Sequence, residues 1–221
     1  MSLPKPYYEE EGITIFHGDC REILPHLPKV DLVLTDPPYG VKMSEGFEGF
    51  EGFGGFGVPI ARRQYPDQWD EDRPHPDIFK LILARSDSAI IFGGNFFADI
   101  LPRSRRWIVW DKLNTMPTFG DCELAWTNIN RKSVKKKVVE WNGLLGKERE
   151  RFHPTQKPVE LMIWCIENYS KEGAVILDPY GGSGTTAKAA KATNRKCLLV
   201  EAEEKYCEIA VKRLRQEVLK F

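Results

Sequence analysis

Ala174-Val175-Ile176-Leu177-Asp178-Pro179-Tyr180-Gly181-Gly182-Ser183-Gly184-Thr185-Thr186 is the stretch on which the fold turns. Four apolar, largely branched residues read as a buried strand that opens directly into a glycine-rich turn. Residues 187–193 then carry a helical pattern, and Lys196 to Val200 a second strand that ends in Glu201. Strand, glycine turn, helix, strand and acid make one nucleotide-binding half-fold. The glycines let backbone approach a ligand, and the helix start offers free N–H groups. Glu201, 17 residues after Gly184, is placed to hold the two ribose hydroxyls of an adenosine. Gly182 to Ala187 also fits the loose G-x-G-x-x-G/A dinucleotide fingerprint, so an NAD-dependent dehydrogenase is a rival reading. Against it, the unit lies at the C-terminal end of the sequence with one strand after the glycines.

Working outward, strand patterns fall at residues 13–16, 32–34, 89–92, 106–110 and 122–127, and helical ones at 21–27, 77–85, 96–101, 159–169 and 205–219. The alternation predicts an α/β protein with a largely parallel sheet, in which 106–110 and 122–127 pair antiparallel. The strand around Leu32 to Leu34 ends in Thr35-Asp36-Pro37-Pro38-Tyr39-Gly40. Each proline fixes its own φ, removes a donor and holds the preceding residue extended. Such a loop can aim one carboxylate, two carbonyls and one ring at a planar amine; alone, it fits a plain Pro-Pro turn as well.

The 221 residues read as one domain with enough chain for a core, 42% hydrophobic and 29% charged. No run reaches the ~18 apolar residues of a membrane span, and the start lacks a secretory pattern. Five scattered cysteines without C-x-x-C point to reduced thiols and a cytoplasmic setting. The four histidines show no metal-ligand spacing, so no metal is expected. Net charge is zero but uneven: residues 1–110 hold 12 basic against 17 acidic residues, and 111–221 hold 20 against 15. Arg131, Lys132, Lys135, Lys136 and Lys137 concentrate the surplus, which suits a polyanion or a solvated loop. Two segments, about 41–76 and 128–152, read as irregular, and the first contains a Gly-Phe-Glu repeat at 46–57.

Asp36-Pro37-Pro38-Tyr39, then His153-Pro154-Thr155-Gln156-Lys157-Pro158, then the 178–186 stretch together resemble the S-adenosylmethionine-dependent DNA amino-methyltransferases. Their order is similar to that of the circularly permuted β class, and the resemblance spans about residues 12–215. It departs at Tyr180, where Phe is more usual. It implies a Rossmann-like, seven-stranded methyltransferase sheet with one antiparallel strand, the 174–177 strand central and beside the strand of Leu32. It further implies that Asp178, Tyr180, Gly181, Gly182, Ser183, Gly184, Thr185 and Thr186 surround the methionine part of S-adenosylmethionine. Glu201 would hold the ribose, Asp19 and Cys20 the adenine, and Thr155, Gln156 and Lys157 the methionine end, with Asp36 also among the cofactor-binding residues.

By the same resemblance Asp36 and the carbonyl of Pro37 accept the amine hydrogens, Pro38 stiffens the loop, and Tyr39 stacks on a base flipped from double-stranded DNA. Asp at the first position goes mostly with adenine N6, and cytosine N4 is the alternative. No cysteine adjoins the loop, which argues against cytosine C5 chemistry. A protein that keeps the fold without turnover, or a methyltransferase for RNA or protein glutamine, fits the motifs and their order less well. The basic residues at 131–137 would neutralise phosphates without reading sequence. So compact a chain could also complete its recognition surface as a homodimer.

Overall fold

The computed structural model describes residues 3–40, 73–113, 120–130, 133–140 and 156–216. The Gly-Phe-Glu repeat, Arg131, Lys132 and Thr155 lie outside them. The described chain forms strands β1 (Tyr8–Glu10), β2 (Ile13–His17), β3 (Leu32–Thr35), β4 (Ala89–Phe92), β5 (Trp107–Asp111), β6 (Cys122–Thr127), β7 (Lys135–Val138), β8 (Val175–Asp178) and β9 (Lys196–Glu201). The helices are α1 (Cys20–Ile23), α2 (Pro76–Leu83), α3 (Val159–Tyr169), α4 (Thr185–Ala192) and α5 (Glu204–Arg215). None is long and apolar enough to cross a membrane. The helical pattern of 21–27 breaks after Ile23 into a 3-10 turn, Leu24–His26, because Pro25 has no N–H to carry it on.

One sheet runs β1-β2-β9-β8-β3-β4-β6-β5-β7. The seven strands legible in the sequence are its body, with β2, β9, β8, β3 and β4 mutually parallel and β6 antiparallel to both β4 and β5. β8 is central and beside β3, as the resemblance implied. Two strands were not foreseen. β1 covers β2, so β2 is not an edge. β7 pairs parallel with β5, so the segment 128–152 is not irregular throughout: Lys135, Lys136 and Lys137 sit on the outermost strand. Lysines on an edge strand deter pairing with another chain.

Both faces of the parallel body are covered, which explains its unbroken apolar runs. Leu32, Leu34, Ile90 and Phe92 pack with α3, α4 and α5 on one face. Val33, Ala89 and Ile91 pack with α1, α2 and Phe97 on the other. The carboxyl ends of β2, β3, β4, β8 and β9 therefore share one edge of the sheet, where such folds bind ligands. β6 runs the other way, so its first residues, Cys122 and Glu123, arrive at that same edge.

Candidate active site

A cavity of about 340 Å³ opens at this edge. Asp19, Cys20, Tyr180, Gly182 and Glu201 line it together with the whole Asp36-Pro37-Pro38-Tyr39 loop. A smaller polar cleft of about 60 Å³ adjoins it, lined by Asp36, Gln156, Lys157, Asp178, Tyr180, Gly181, Gly182, Ser183, Thr185 and Thr186. Three motifs spread over more than a hundred residues of sequence thus converge, with Asp36, Tyr180 and Gly182 facing both spaces.

The glycine-rich loop is fixed from below. Asp178 is buried and accepts from Thr35 Oγ1 at 2.7 Å, Thr186 Oγ1 at 2.6 Å and the Tyr180 N–H at 3.1 Å. Burial pushes its carboxyl up to about 7, against the pull of those donors. Glu201 accepts from the N–H of Gly182 at 2.7 Å and of Glu203 at 2.8 Å, and burial raises it too. A side chain at Gly181 would force Leu199 of β9 to shift, since a Cβ there would stand 2.1 Å from it. Gly184 lines neither space and packs on Ala210 of α5. Asp19 caps α1 by accepting from the Arg21 N–H at 2.8 Å, and its carboxyl is lowered chiefly by the Arg21 guanidinium bound to it.

The loop from Asp36 to Tyr39 is fixed by charge. Lys157, with a side chain only 5% exposed, sets Nζ 2.6 Å from Asp36 Oδ2 and 3.2 Å from Glu123 Oε2. Burial alone would lower its pKa, but Asp36 and Glu123 raise it, so it stays an ammonium. Asp36 is raised by burial and by Glu123, with Lys157 opposing. Its other oxygen, Oδ1, accepts from the Tyr39 hydroxyl at 2.5 Å. The Tyr39 ring stacks on Phe96, with centroids 4.7 Å apart and planes 15° off parallel. Behind it lies Gly93 at φ +65°, where a Cβ would fall 2.1 Å from the tyrosine ring.

At one edge of the sheet the two spaces thus bring together the carboxylates of Asp36, Asp178 and Glu201, the buried ammonium of Lys157 and the glycine-rich backbone. Residues 102–212 match the family model for DNA methylases of the N6/N4 group. The chain is 30% identical to the type II methyltransferase M.HinfI of Haemophilus influenzae over 92% of its own length and 68% of that protein. The chain belongs to the N6/N4 DNA methylase family. It is also 28% identical to the type II methyltransferase M2.DpnII of Streptococcus pneumoniae, over 97% of this chain and 94% of that one. Its fold is that of the M1.HpyAVI–SAM complex (TM-score 0.60, 24% identity, covering 92% and 100%) and of the cytosine-N4-specific PvuII DNA methyltransferase (TM-score 0.64, 16% identity, covering 98% and 91%).

Within this DNA methylase, the expected residues that the structure describes largely assemble, while Lys135, Lys136 and Lys137 line neither space. β7 lies four strands along the sheet from β3. Lys136 pairs with Asp111 at 3.1 Å and Lys137 with Glu160 at 2.8 Å. Two residues at the site escaped the sequence. Arg213, buried on α5, donates Nη1 to the Ser183 carbonyl at 2.7 Å, Ser183 Oγ at 2.8 Å and Thr185 Oγ1 at 3.1 Å. Its signal was legible: an arginine spaced with Tyr206, Ala210 and Leu214 on the buried helix face. Glu123 gave no such signal, because one acid in a strand reads as an outward-facing position.

Proposed function

We propose that this DNA methylase transfers a methyl group from S-adenosylmethionine to the N6 amine of adenine in double-stranded DNA. The observation that carries the reading is the position of Asp36, which lines both the Glu201 cavity and the Lys157 cleft. The residues fit the cofactor. Glu201 and Asp19 would hold its ribose and adenine, Tyr180 and the Gly181–Ser183 backbone would follow the chain between them, and Gln156 with Lys157 would take the methionine end. When bound, S-adenosylmethionine supplies an electrophilic methyl on a sulfonium.

Asp36 Oδ1 and the Pro37 carbonyl would accept the two hydrogens of the amine, turning its lone pair out of the ring plane. Holding that nitrogen in line is the proximity contribution of the protein. Tyr39 would stack on the base, which must leave the duplex to reach this depth. Phe96 covers one face of Tyr39, so the base takes the opposite face or displaces Phe96. Asp rather than Ser at position 36 favours adenine over cytosine. Incubation with labelled S-adenosylmethionine and duplex DNA, followed by separation of nucleosides, is expected to put the label in N6-methyladenine. Label confined to N4-methylcytosine would overturn the base assignment, and absence of label in DNA would overturn the reading.

A further inference from the structure

Four charges of alternating sign run from the end of β5 to the catalytic loop. Lys112 Nζ lies 2.6 Å from Glu123 Oε1, Glu123 Oε2 lies 3.2 Å from Lys157 Nζ, and Lys157 Nζ lies 2.6 Å from Asp36 Oδ2. All four are sheltered, with side chains 17%, 24%, 5% and 18% exposed in that order. The ammonium of Lys157 also donates to the Tyr39 hydroxyl at 3.3 Å and sits 5.6 Å from the Phe92 ring centre. Buried charges are costly, so a second buried carboxylate on a lysine that already has one needs a reason.

The reason lies in what Asp36 must do. A carboxylate paired one-to-one with a buried ammonium is a weakened acceptor, because much of its charge is already compensated. Glu123 draws the same ammonium toward itself, and Lys112 fixes the outer oxygen of Glu123 so that the inner one faces Lys157. Glu123 Oε2 is buried and receives no well-aligned hydrogen bond from the described residues, which leaves its attraction directed at Lys157. Resting on methyl transfer at Asp36, we infer that Glu123 is a positioning residue that shares Lys157 with Asp36 and so sets the strength with which Asp36 accepts the target amine. Oδ2 is held by the shared lysine, and Oδ1, whose donor is the displaceable Tyr39 hydroxyl, is the oxygen offered to the substrate.

The arrangement makes a signed prediction. The charged or titratable groups facing Asp36 are Tyr39 on its own loop, Lys157 before α3, Glu123 on β6 and Asp178 on β8; Lys112 faces Glu123. Replacing Glu123 by Gln removes a negative charge, so Asp36 releases its proton more readily and the acid limb of kcat moves to lower pH. Replacing Lys112 by Met removes a positive charge, and the limb moves to higher pH. Shifts of about one pH unit are expected, the scale for a neighbouring charge. In Glu123→Gln, kcat falls roughly tenfold, the scale of weakening one charge-assisted hydrogen bond, while KM for DNA stays within about threefold. Titration of the Asp36 carboxyl by NMR in the same variants reads the coupling without turnover. Opposite shifts support the inference. Unmoved limbs and titrations, or shifts of one sign in both variants, would overturn it. An enzyme that shows the opposite NMR shifts yet leaves DNA unmethylated would instead defeat the assigned reaction.

Discussion

The tips of β3 and β8 carry two similar sequences, Asp36-Pro37-Pro38-Tyr39 and Asp178-Pro179-Tyr180-Gly181, on neighbouring strands. Their carboxylates live differently. Asp178 is enclosed by two hydroxyls and one backbone N–H, all neutral and none free to leave. Asp36 is held by an ammonium and by a phenol on its own loop, the latter the donor that the proposed substrate amine would replace. Thr35 ties the two loops together, since its hydroxyl is spent on Asp178 while its backbone leads into Asp36. An Asp-Pro strand tip therefore specifies a stiff loop. Whether it does chemistry depends on whether its acceptor capacity is used up inside the fold.

The largest expected effect separates the two acids. Asp36→Asn should lower kcat on the order of 10³-fold, as for loss of a group that addresses developing charge, with cofactor affinity changed less than about threefold by calorimetric titration. Asp178→Asn should keep turnover within about tenfold. Equal losses in the two variants would erase the distinction.

Asp178 should show itself in stability instead. Its carboxyl is raised from 3.8 to about 7, so the folded state retains a proton that the unfolded chain gives up. Stability is therefore fullest below about pH 4 for this group and declines as pH rises toward 7. Urea titrations across that window should show a shallower decline in Asp178→Asn, because asparagine does not titrate.

The next test uses the glycines behind each loop. A Cβ at Gly93 or at Gly181 would intrude equally, 2.1 Å from Tyr39 and from Leu199 respectively. Each alanine variant should lose about 1–3 kcal/mol of stability through overpacking. Function should divide: Gly93→Ala displaces the stacking ring and impairs methyl transfer with cofactor binding intact, while Gly181→Ala weakens cofactor binding first. The smallest effect belongs to Tyr180→Phe. Asp178 is bound by the Tyr180 backbone, and among the described residues the hydroxyl bonds the Cys20 thiol alone, so cofactor affinity should change by about twofold at most.

Most of the sheet was legible because burial on both faces writes strands as continuous apolar runs. The two missing strands lacked that mark. β1 is three residues of Tyr and Glu, and β7 is mostly lysine; both exist because a stronger neighbour offers them a ladder at the edge. The same logic divides the site. Motif residues could be placed from sequence because turn chemistry and strand order are local. The seat of the Lys157 ammonium between Asp36 and Glu123 is a contact between residues 121 and 34 positions apart, and nothing local announces it.

The strand order carries a further consequence for how the molecule is made. β2 and β3 follow one another in the chain, yet β9 and β8 lie between them in the sheet. A growing chain thus produces both flanks of the sheet well before its centre, leaving β2 without a parallel partner and β3 paired on one side only. Pairings of such long sequence separation form slowly and leave apolar strands exposed meanwhile. Residues 175–201 are the keystone of an arch raised from its two sides: until they drop into place, neither the span nor the cavity at its edge is complete.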